Sequence, residues 1–96
     1  MRKYNQGVNK YMNNVNNHSI YDTVRYNIKK YRKEKKMTQQ ELADASGLSH
    51  GYIREIESFK MGKSFSLDAV ERIAGGLKIK VMILFDEEEF NKKNNS

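Results

Sequence analysis

Hydrophobic and polar positions alternate with a helical period over most of this sequence. Apolar residues recur every three or four positions, which places them on one face of an α-helix. A first stripe follows Ser19, which has the spacing of a capping box with Asp22, and the predicted helix ends near Lys35 or Lys36. A last stripe follows Ser66 and predicts another helix. The members of the two stripes are Val24, Ile28 and Tyr31, and then Leu67, Val70, Ile73, Ala74 and Leu77.

Two shorter helices are predicted between these stripes, in the segment TQQELADASGLSHGYIREIE, residues 38–57. Thr38 and Glu41 have the capping-box spacing that satisfies the first backbone donors of a helix. Gly47 can take a positive φ and end that helix sharply, and Ser49 is placed as the N-cap of the next. The inward positions are Leu42, Ala43, Ser46, Leu48, Ile53 and Ile56. Two short helices joined by a tight turn form a helix-turn-helix, which can insert its second helix into the DNA major groove.

The apolar segment LKIKVMILF, residues 77–85, fits two structures. Every second residue from Ile79 to Phe85 is apolar, as in a β-strand, and Lys80 is a poor N-cap for the alternative, a short fifth helix. The predicted fold is therefore all-α, a compact domain of four to five helices, and the alternation favours a C-terminal β-strand in place of helix five. A lone strand needs a partner, and so much apolar surface over residues 78–85 predicts a dimer interface.

Both ends of the chain have little apolar content. Residues 1–18 include six asparagines, and residues 86–96 are mostly charged residues and asparagines. Such segments bury too little apolar surface to offset the entropy of ordering them. We therefore expect a flexible Asn-rich arm over residues 1–18, a folded domain over residues 19–85, and a flexible charged tail over residues 86–96.

The composition excludes several kinds of site. There is no cysteine, and the two histidines, His18 and His50, are far apart, so neither a disulfide framework nor a zinc site of known spacing can be built. No nucleophile with a matching base and no phosphate-binding loop is visible, so we expect neither an enzyme nor a cofactor. No apolar run approaches the roughly 18 to 20 residues of a membrane helix, and a signal-peptide core is missing, which predicts a cytoplasmic protein.

Charge is unevenly distributed along the chain. The net charge of +6 and the pI near 9.6 favour a polyanionic partner. Residues 21–36 hold seven basic and two acidic side chains, whereas residues 37–58 hold one basic and four acidic side chains. A simple basic tail would not have this distribution. The observed distribution, an acidic segment flanked by basic ones, indicates phosphate contacts from elements that flank the helix-turn-helix.

Three pieces of the chain match a known pattern: YRKEKKMTQQELA, SGLSHGYIREIE and SLDAVERIAGGL. Together, from about Val24 to Leu77, they resemble the Cro and phage-repressor helix-turn-helix family, also called the XRE family. The resemblance implies a small transcriptional regulator that binds double-stranded DNA sequence-specifically. We expect a homodimeric repressor on a palindromic operator, because twofold symmetry in the protein requires it in the DNA.

The resemblance also implies which residues contact DNA. The family's base-contacting positions are His50, Gly51, Tyr52 and Glu55, and its phosphate-contacting positions are Gln39, Lys60 and Lys63. We add Arg54 to the base contacts, because it is the one arginine of the third helix that could reach a guanine, and Ser49 to the phosphate contacts. Histidine can donate or accept, a tyrosine ring can touch a thymine methyl, and a glutamate can accept from cytosine N4. Each side chain could instead have a purely structural role, at a solvated helix end or over apolar surface.

One further pair and two departures from the family pattern follow from the same comparison. Arg32 and Glu57 match a pair that bridges the first and third helices, which we interpret as a structural ion pair. Phe59 stands where the family often has glycine, which implies a different path for the loop after the third helix. Gly75 and Gly76 lower the helix propensity of the last helix, or allow close packing there.

Two other functions stay open from the sequence. An antitoxin that represses its own operon would bind a toxin protein through an arm or the C-terminal segment, and its C-terminal strand would pair with that of a second subunit. A helix-turn-helix scaffold used only for protein contacts would bind DNA weakly and independently of salt, and the acidic Glu55 and Glu57 keep that option open.

Overall fold

The computed structural model describes residues 19–88 and residue 90. Four α-helices follow one another, α1 (Ile20–Glu34), α2 (Gln39–Ser46), α3 (His50–Glu57) and α4 (Leu67–Leu77), and a 3-10 helix, η1 (Val81–Phe85), comes after them. The predicted arm over residues 1–18 lies outside the described residues. Within the part that is described, no helix is long and apolar enough to cross a membrane.

Serine and threonine caps start three of the four α-helices where the sequence predicts them. Both bonds of the capping box are present at the start of α2: the Glu41 N–H donates to the Thr38 hydroxyl, at 3.0 Å, and the Thr38 N–H donates to the Glu41 carboxylate, at 2.8 Å. At the starts of α3 and α4 only the first kind of bond is present: the hydroxyls of Ser49 and Ser66 accept from the N–H groups of Tyr52 and Ala69, at 3.0 Å each. Gly47 ends α2 with φ +70°. The helix-turn-helix therefore forms from local side chain to backbone bonds.

The predicted capping box at the start of α1 is wrong. Ser19 is the N-cap residue, but its side chain makes no capping hydrogen bond. The carboxylate of Asp22 instead accepts a hydrogen bond from Nε of Arg25, at 2.9 Å. A buried arginine one turn further along the helix is therefore a stronger partner for this carboxylate than the N-terminal backbone.

The core lies between the four α-helices and η1. Its members are Val24, Ile28, Leu42, Ala43, Ile53, Ile56, Ala69, Val70, Ile73, Ala74, Leu77 and Leu84. α2 and α4 approach each other closely at Gly76, where an added Cβ would lie 3.2 Å from the backbone of Ala45 and Ser46. Gly75 faces open space, with nothing within 4 Å of a Cβ built there. Only the second glycine therefore serves the close packing that the sequence left open.

The preference for a C-terminal strand is wrong: residues 81–85 form η1, and no strand occurs in residues 19–88. Leu84 is fully buried in the core, which the alternating pattern does not predict. The Nδ2 of Asn27, on α1, donates to the carbonyls of Leu84 and Asp86, at 2.9 and 2.8 Å. A lone strand would leave its backbone groups unpaired, whereas a 3-10 helix pairs some internally and Asn27 pairs two more.

Packing continues past Phe85 into the segment that the sequence assigns to the tail. Phe90 is buried, and its ring lies 5.3 Å from that of Tyr26 and 6.1 Å from that of Phe59, measured between centroids. The rings of Phe59 and Phe90 are stacked, with an angle of 7° between their planes. The phenylalanine ring at position 59 therefore makes a packing contact with Phe90 that a glycine at this position could not make.

Candidate nucleic-acid interface

The start of α3 carries the predicted base-contacting residues. The hydroxyl of Ser49 accepts a hydrogen bond from the N–H of Tyr52, at 3.0 Å, and the helix begins at His50. Ile53 and Ile56 are fully buried and fix the rotation of the helix about its axis. Of the five predicted base-contacting residues, Arg54 is exposed and the other four are half-buried: His50, Gly51, Tyr52 and Glu55. The five residues thus stay accessible on a helix that is anchored from its opposite side.

Tyr52 and Gly51 differ in how much the fold needs them. Tyr52 packs partly against the core, so its ring has a structural contact in addition to any contact with DNA. A Cβ on Gly51 would meet only the guanidinium of Arg54, at 4.0 Å. Packing within the domain therefore does not require glycine at position 51. A residue without a side chain in the first turn of α3 would let the helix approach a base pair closely.

A buried network holds α3 against α1 and the start of α2. The guanidinium of Arg32 donates from Nε to Glu57 Oε2, at 2.7 Å, and from Nη2 to Glu57 Oε1, at 3.0 Å. Its Nη1 donates to the carbonyl of Met37, at 2.7 Å. Both partners of the ion pair are buried, with 8% of Arg32 and 3% of Glu57 exposed. Two parallel bonds between planar groups allow one relative orientation, so this pair sets the angle between α1 and α3.

Gln39, a predicted phosphate contact, is joined to the same network. Its Nε2 donates to Glu57 Oε1, at 3.1 Å, and the residue is the first of α2. A side-chain amide carries two N–H donors, so this bond uses one of them. The first turn of an α-helix also has backbone donors without helical acceptors, which attract anions. The network therefore places a donor-rich helix start beside the end of α3.

The loop between α3 and α4 carries the two predicted phosphate-binding lysines. Lys60 and Lys63 are both exposed. A turn shapes the loop between them: the N–H of Gly62, at φ +59°, donates to the carbonyl of Ser58, at 3.1 Å. Two ammonium groups on one short loop can neutralise phosphate charge.

The sequence patterns missed Arg25, a buried cation on α1 whose guanidinium contacts this loop. Only 1% of the residue is exposed. Its Nη2 donates to the carbonyl of Lys63, at 2.8 Å. The available signal was its position three residues before Ile28, which places it on the inward face of α1, where a charged residue is unusual.

Comparison with known proteins bears on the whole arrangement. A family model described as helix-turn-helix matches residues 28–84. The immunity repressor protein of Bacillus phage phi105 is 38% identical over 74 residues, which is 77% of this chain and 50% of the repressor. The chain therefore spans about half the length of the curated relative that it matches.

Solved structures match over most of the chain. The wild-type restriction-modification controller protein C.Esp1396I is 32% identical, with a TM-score of 0.64, and the match covers 81% of this chain and 95% of the controller. The same controller bound to a 19 base pair DNA duplex is also 32% identical, with a TM-score of 0.64, over 82% of this chain and 99% of the controller. The α1 to η1 arrangement is thus similar to that of a protein solved on DNA.

Proposed function

The chain belongs to the Cro and phage-repressor (XRE) helix-turn-helix family, and on that basis we propose that it is a transcriptional regulator that binds double-stranded DNA sequence-specifically. One observation carries the proposal. The N-terminal half of α3 leaves Arg54 exposed and His50 and Tyr52 half-buried, while the buried Arg32–Glu57 pair holds that helix in one orientation. Base readout needs such a rigid support, because side chains must reach base edges within hydrogen-bond distance.

In the proposed complex, α3 lies in the major groove and the neighbouring elements contact the backbone. His50, Tyr52, Arg54 and Glu55 contact base edges, and Gly51 permits close approach. Gln39 and Ser49 donate to phosphates from the two helix starts, and Lys60 and Lys63 neutralise phosphates from the loop; phosphate contacts of this kind position the protein, whereas base contacts select the sequence. Ser49 and Gln39 would each have a second role, because Ser49 also caps α3 and the Gln39 amide also donates to Glu57.

We propose that the protein acts as a homodimer, and the apolar surface supports one change to the predicted interface over residues 78–85. Leu84 is used inside the domain, whereas 72% of Met82 is exposed. Phe85, at the end of η1, lines a groove of about 270 Å³ together with Leu67, and 74% of Leu67 is exposed. The start of α4 therefore belongs to the proposed interface as well. A Leu67→Lys, Met82→Lys variant that sediments as the native dimer does would contradict this interface.

A dimer suits an operator of two half-sites. Twofold symmetry places two α3 helices in successive major grooves, about 10 to 10.5 base pairs apart. The duplex solved with C.Esp1396I, at 19 base pairs, is long enough for two such half-sites. Occupying such an operator would exclude polymerase from an overlapping promoter, and this requires no catalytic step. The proposed site of action is the cytoplasm, where bacterial or phage DNA is transcribed.

No observation favours the antitoxin alternative. The likeness to antitoxin-type members depended on a C-terminal strand, and residues 19–88 contain none. The pure protein scaffold is distinguished from the proposed regulator by salt dependence. A DNA-binding protein loses affinity steeply with salt, because each phosphate that it neutralises releases counterions.

The test is selection of bound duplexes from a randomised DNA pool near physiological salt. The native protein is compared with a His50→Ala, Tyr52→Ala variant and with a matched control, Glu34→Gln, on the exposed surface of α1. We expect the native protein and the control to enrich the same palindrome, and the double variant to lose it, since a good base contact is worth about 1 to 3 kcal/mol of discrimination.

Two results would contradict the proposal in different ways. If the native protein enriches no sequence, operator binding is refuted. If the double variant enriches the same palindrome with equal strength, DNA binding stands, but the assignment of base readout to the start of α3 is wrong. Thermal unfolding of each variant shows whether the double variant loses the palindrome only because removing the Tyr52 ring destabilises the domain.

A further inference from the structure

Arg25 lies at the centre of a cluster that joins α1 to the loop after α3. Its guanidinium donates from Nη1 to the carbonyl of Ile56, at 2.8 Å, and more weakly to that of Ser58, at 3.4 Å. Nη2 donates to the carbonyl of Lys63, at 2.8 Å, and Nε donates to Asp22, at 2.9 Å. The three carbonyls are 31 to 38 residues away from Arg25 in sequence. One side chain thus ties the end of α3 and the far side of the loop to the same point on α1.

Two aromatic rings cover this guanidinium. The centroids of Phe59 and Phe65 lie 5.9 and 5.5 Å from Cζ of Arg25, which is within the range of a cation–π contact. Each ring has an aromatic partner of its own, because Phe59 stacks on Phe90 and Tyr21 packs edge-on against Phe65, at 5.0 Å. The rings exclude water from the hydrogen bonds of Arg25, and such bonds are stronger in a low-dielectric surrounding.

The chemistry of the cluster requires an arginine. A guanidinium is a planar fork with five N–H donors, so it can donate to a carboxylate and several carbonyls at once. A lysine ammonium has the same charge but donates from a single nitrogen atom, and it cannot reach carbonyls on both sides of the loop. The loop itself has no regular secondary structure between Glu57 and Leu67, so its path depends on such bonds.

We propose that Arg25 is a positioning residue for DNA binding: it holds the loop in the conformation that presents Lys60 and Lys63 to phosphates. This inference rests on the proposed function. The backbone carbonyl of Lys63 accepts a hydrogen bond from Arg25. That bond fixes the backbone from which the ammonium group of Lys63 extends. The ring of Phe59, at the position where the family often has glycine, takes part in the same positioning by covering the guanidinium.

The experiment measures how DNA affinity depends on salt for the native full chain and for Arg25→Lys, on the duplex that the native protein selects. Each phosphate contact contributes about −0.9 to the slope of log affinity against log salt. We expect Arg25→Lys to reduce the magnitude of that slope by about 2, the loss expected for two lysine–phosphate contacts, while the preferred sequence stays the same. Since lysine keeps the charge, a long-range electrostatic role of Arg25 would leave the slope unchanged.

Two comparisons separate positioning from simple destabilisation. Asn27→Ala removes another buried hydrogen-bonding side chain of α1, whose amide donates to the carbonyls of Leu84 and Asp86, and it should keep the native slope. In a Lys60→Ala, Lys63→Ala background, Arg25→Lys should cause no further change in slope, because the groups that it positions are gone.

The outcomes distinguish this inference from the proposed function. If the native protein shows no salt-dependent binding, the proposed function fails first. If the native slope is steep and Arg25→Lys keeps it, the positioning role is refuted while the function stands; an Asn27→Ala slope as low as that of Arg25→Lys refutes it too. Should Arg25→Lys not fold, Phe59→Leu replaces it: a reduced slope supports the proposal and a native slope overturns it.

Discussion

Two adjacent glycines in α4 should differ in how replacement by alanine changes the stability of the protein. Gly75 and Gly76 both lie in the helix Leu67–Leu77, and neither has a positive φ. Replacing a helical glycine with alanine stabilises the helix by about 0.5 to 1 kcal/mol, because it reduces the backbone entropy of the unfolded chain. That contribution is nearly the same at the two positions, so it cancels when the two variants are compared.

The difference between the variants comes from α2. At Gly75 a new Cβ has nothing within 4 Å, so we expect Gly75→Ala to raise the free energy of unfolding by about 0.5 kcal/mol or more. At Gly76 the Cβ would lie 3.2 Å from the backbone of Ala45 and Ser46, and 3.3 Å from the Cβ of Ala45. Backbone atoms cannot rotate away, so α2 must shift, and overpacking of this kind costs about 1 to 3 kcal/mol. Gly76→Ala should therefore be less stable than Gly75→Ala by that amount.

Urea and thermal unfolding followed by circular dichroism measure both effects. A change of 1 kcal/mol shifts the Tm of a domain of this size by about 4 to 8 °C, so the separation between the two variants is well within reach. Equal stability of Gly75→Ala and Gly76→Ala, within about 0.3 kcal/mol, would refute the close approach of α2 and α4. A loss of stability in Gly75→Ala would refute the assumption that alanine stabilises the helix by its higher helix propensity at both positions.

Three further predictions concern residues whose contacts the structure defines. Glu57→Gln leaves the buried guanidinium of Arg32 without a countercharge and should lower the free energy of unfolding by about 3 kcal/mol, measured by urea titration; a loss below 1 kcal/mol would contradict the buried pair. Lys78 has φ +59° as the C-cap of α4, so Lys78→Gly should raise the Tm by a few degrees, and a lower Tm would argue against the left-handed cap. Asn27→Ala leaves two carbonyls of the η1 region unpaired, at a cost of about 1 to 3 kcal/mol, and should speed amide hydrogen exchange in residues 81–86 without affecting α3.

The parts of the candidate site that depend on neighbouring residues in the chain could be predicted from the sequence. The helix starts at Thr38, Ser49 and Ser66 follow from a side chain and a backbone donor three residues apart. The accessible position of the α3 start follows from the apolar spacing of Ile53 and Ile56. The roles of the predicted DNA-contacting residues stay predictions, because contact with DNA depends on a partner molecule.

The sequence did not identify the contacts that bridge distant segments, with one exception. The Arg32–Glu57 pair was placed by resemblance to the family, and no spacing rule connects residues 25 apart. Arg25 had no such precedent, and periodicity alone cannot show that an arginine on an inward stripe donates to three carbonyls, at the end of α3 and in the loop after it, more than 30 residues away. The sequence marked Phe59 as a departure, but only the structure shows the stacked ring that accepts it.

The sequence by itself determined the four α-helices and the tight turn at Gly47, because caps and apolar stripes act over three or four residues. Only the tertiary structure decided the state of residues 81–85, which have the alternation of a strand. Leu84 is buried in the core, and Asn27 on α1 donates to the carbonyls of Leu84 and Asp86. In a strand, such carbonyls would be available to hydrogen-bond with a second chain. A short apolar segment has a weak preference of its own, so burial and the pairing of its backbone by distant groups determine its conformation.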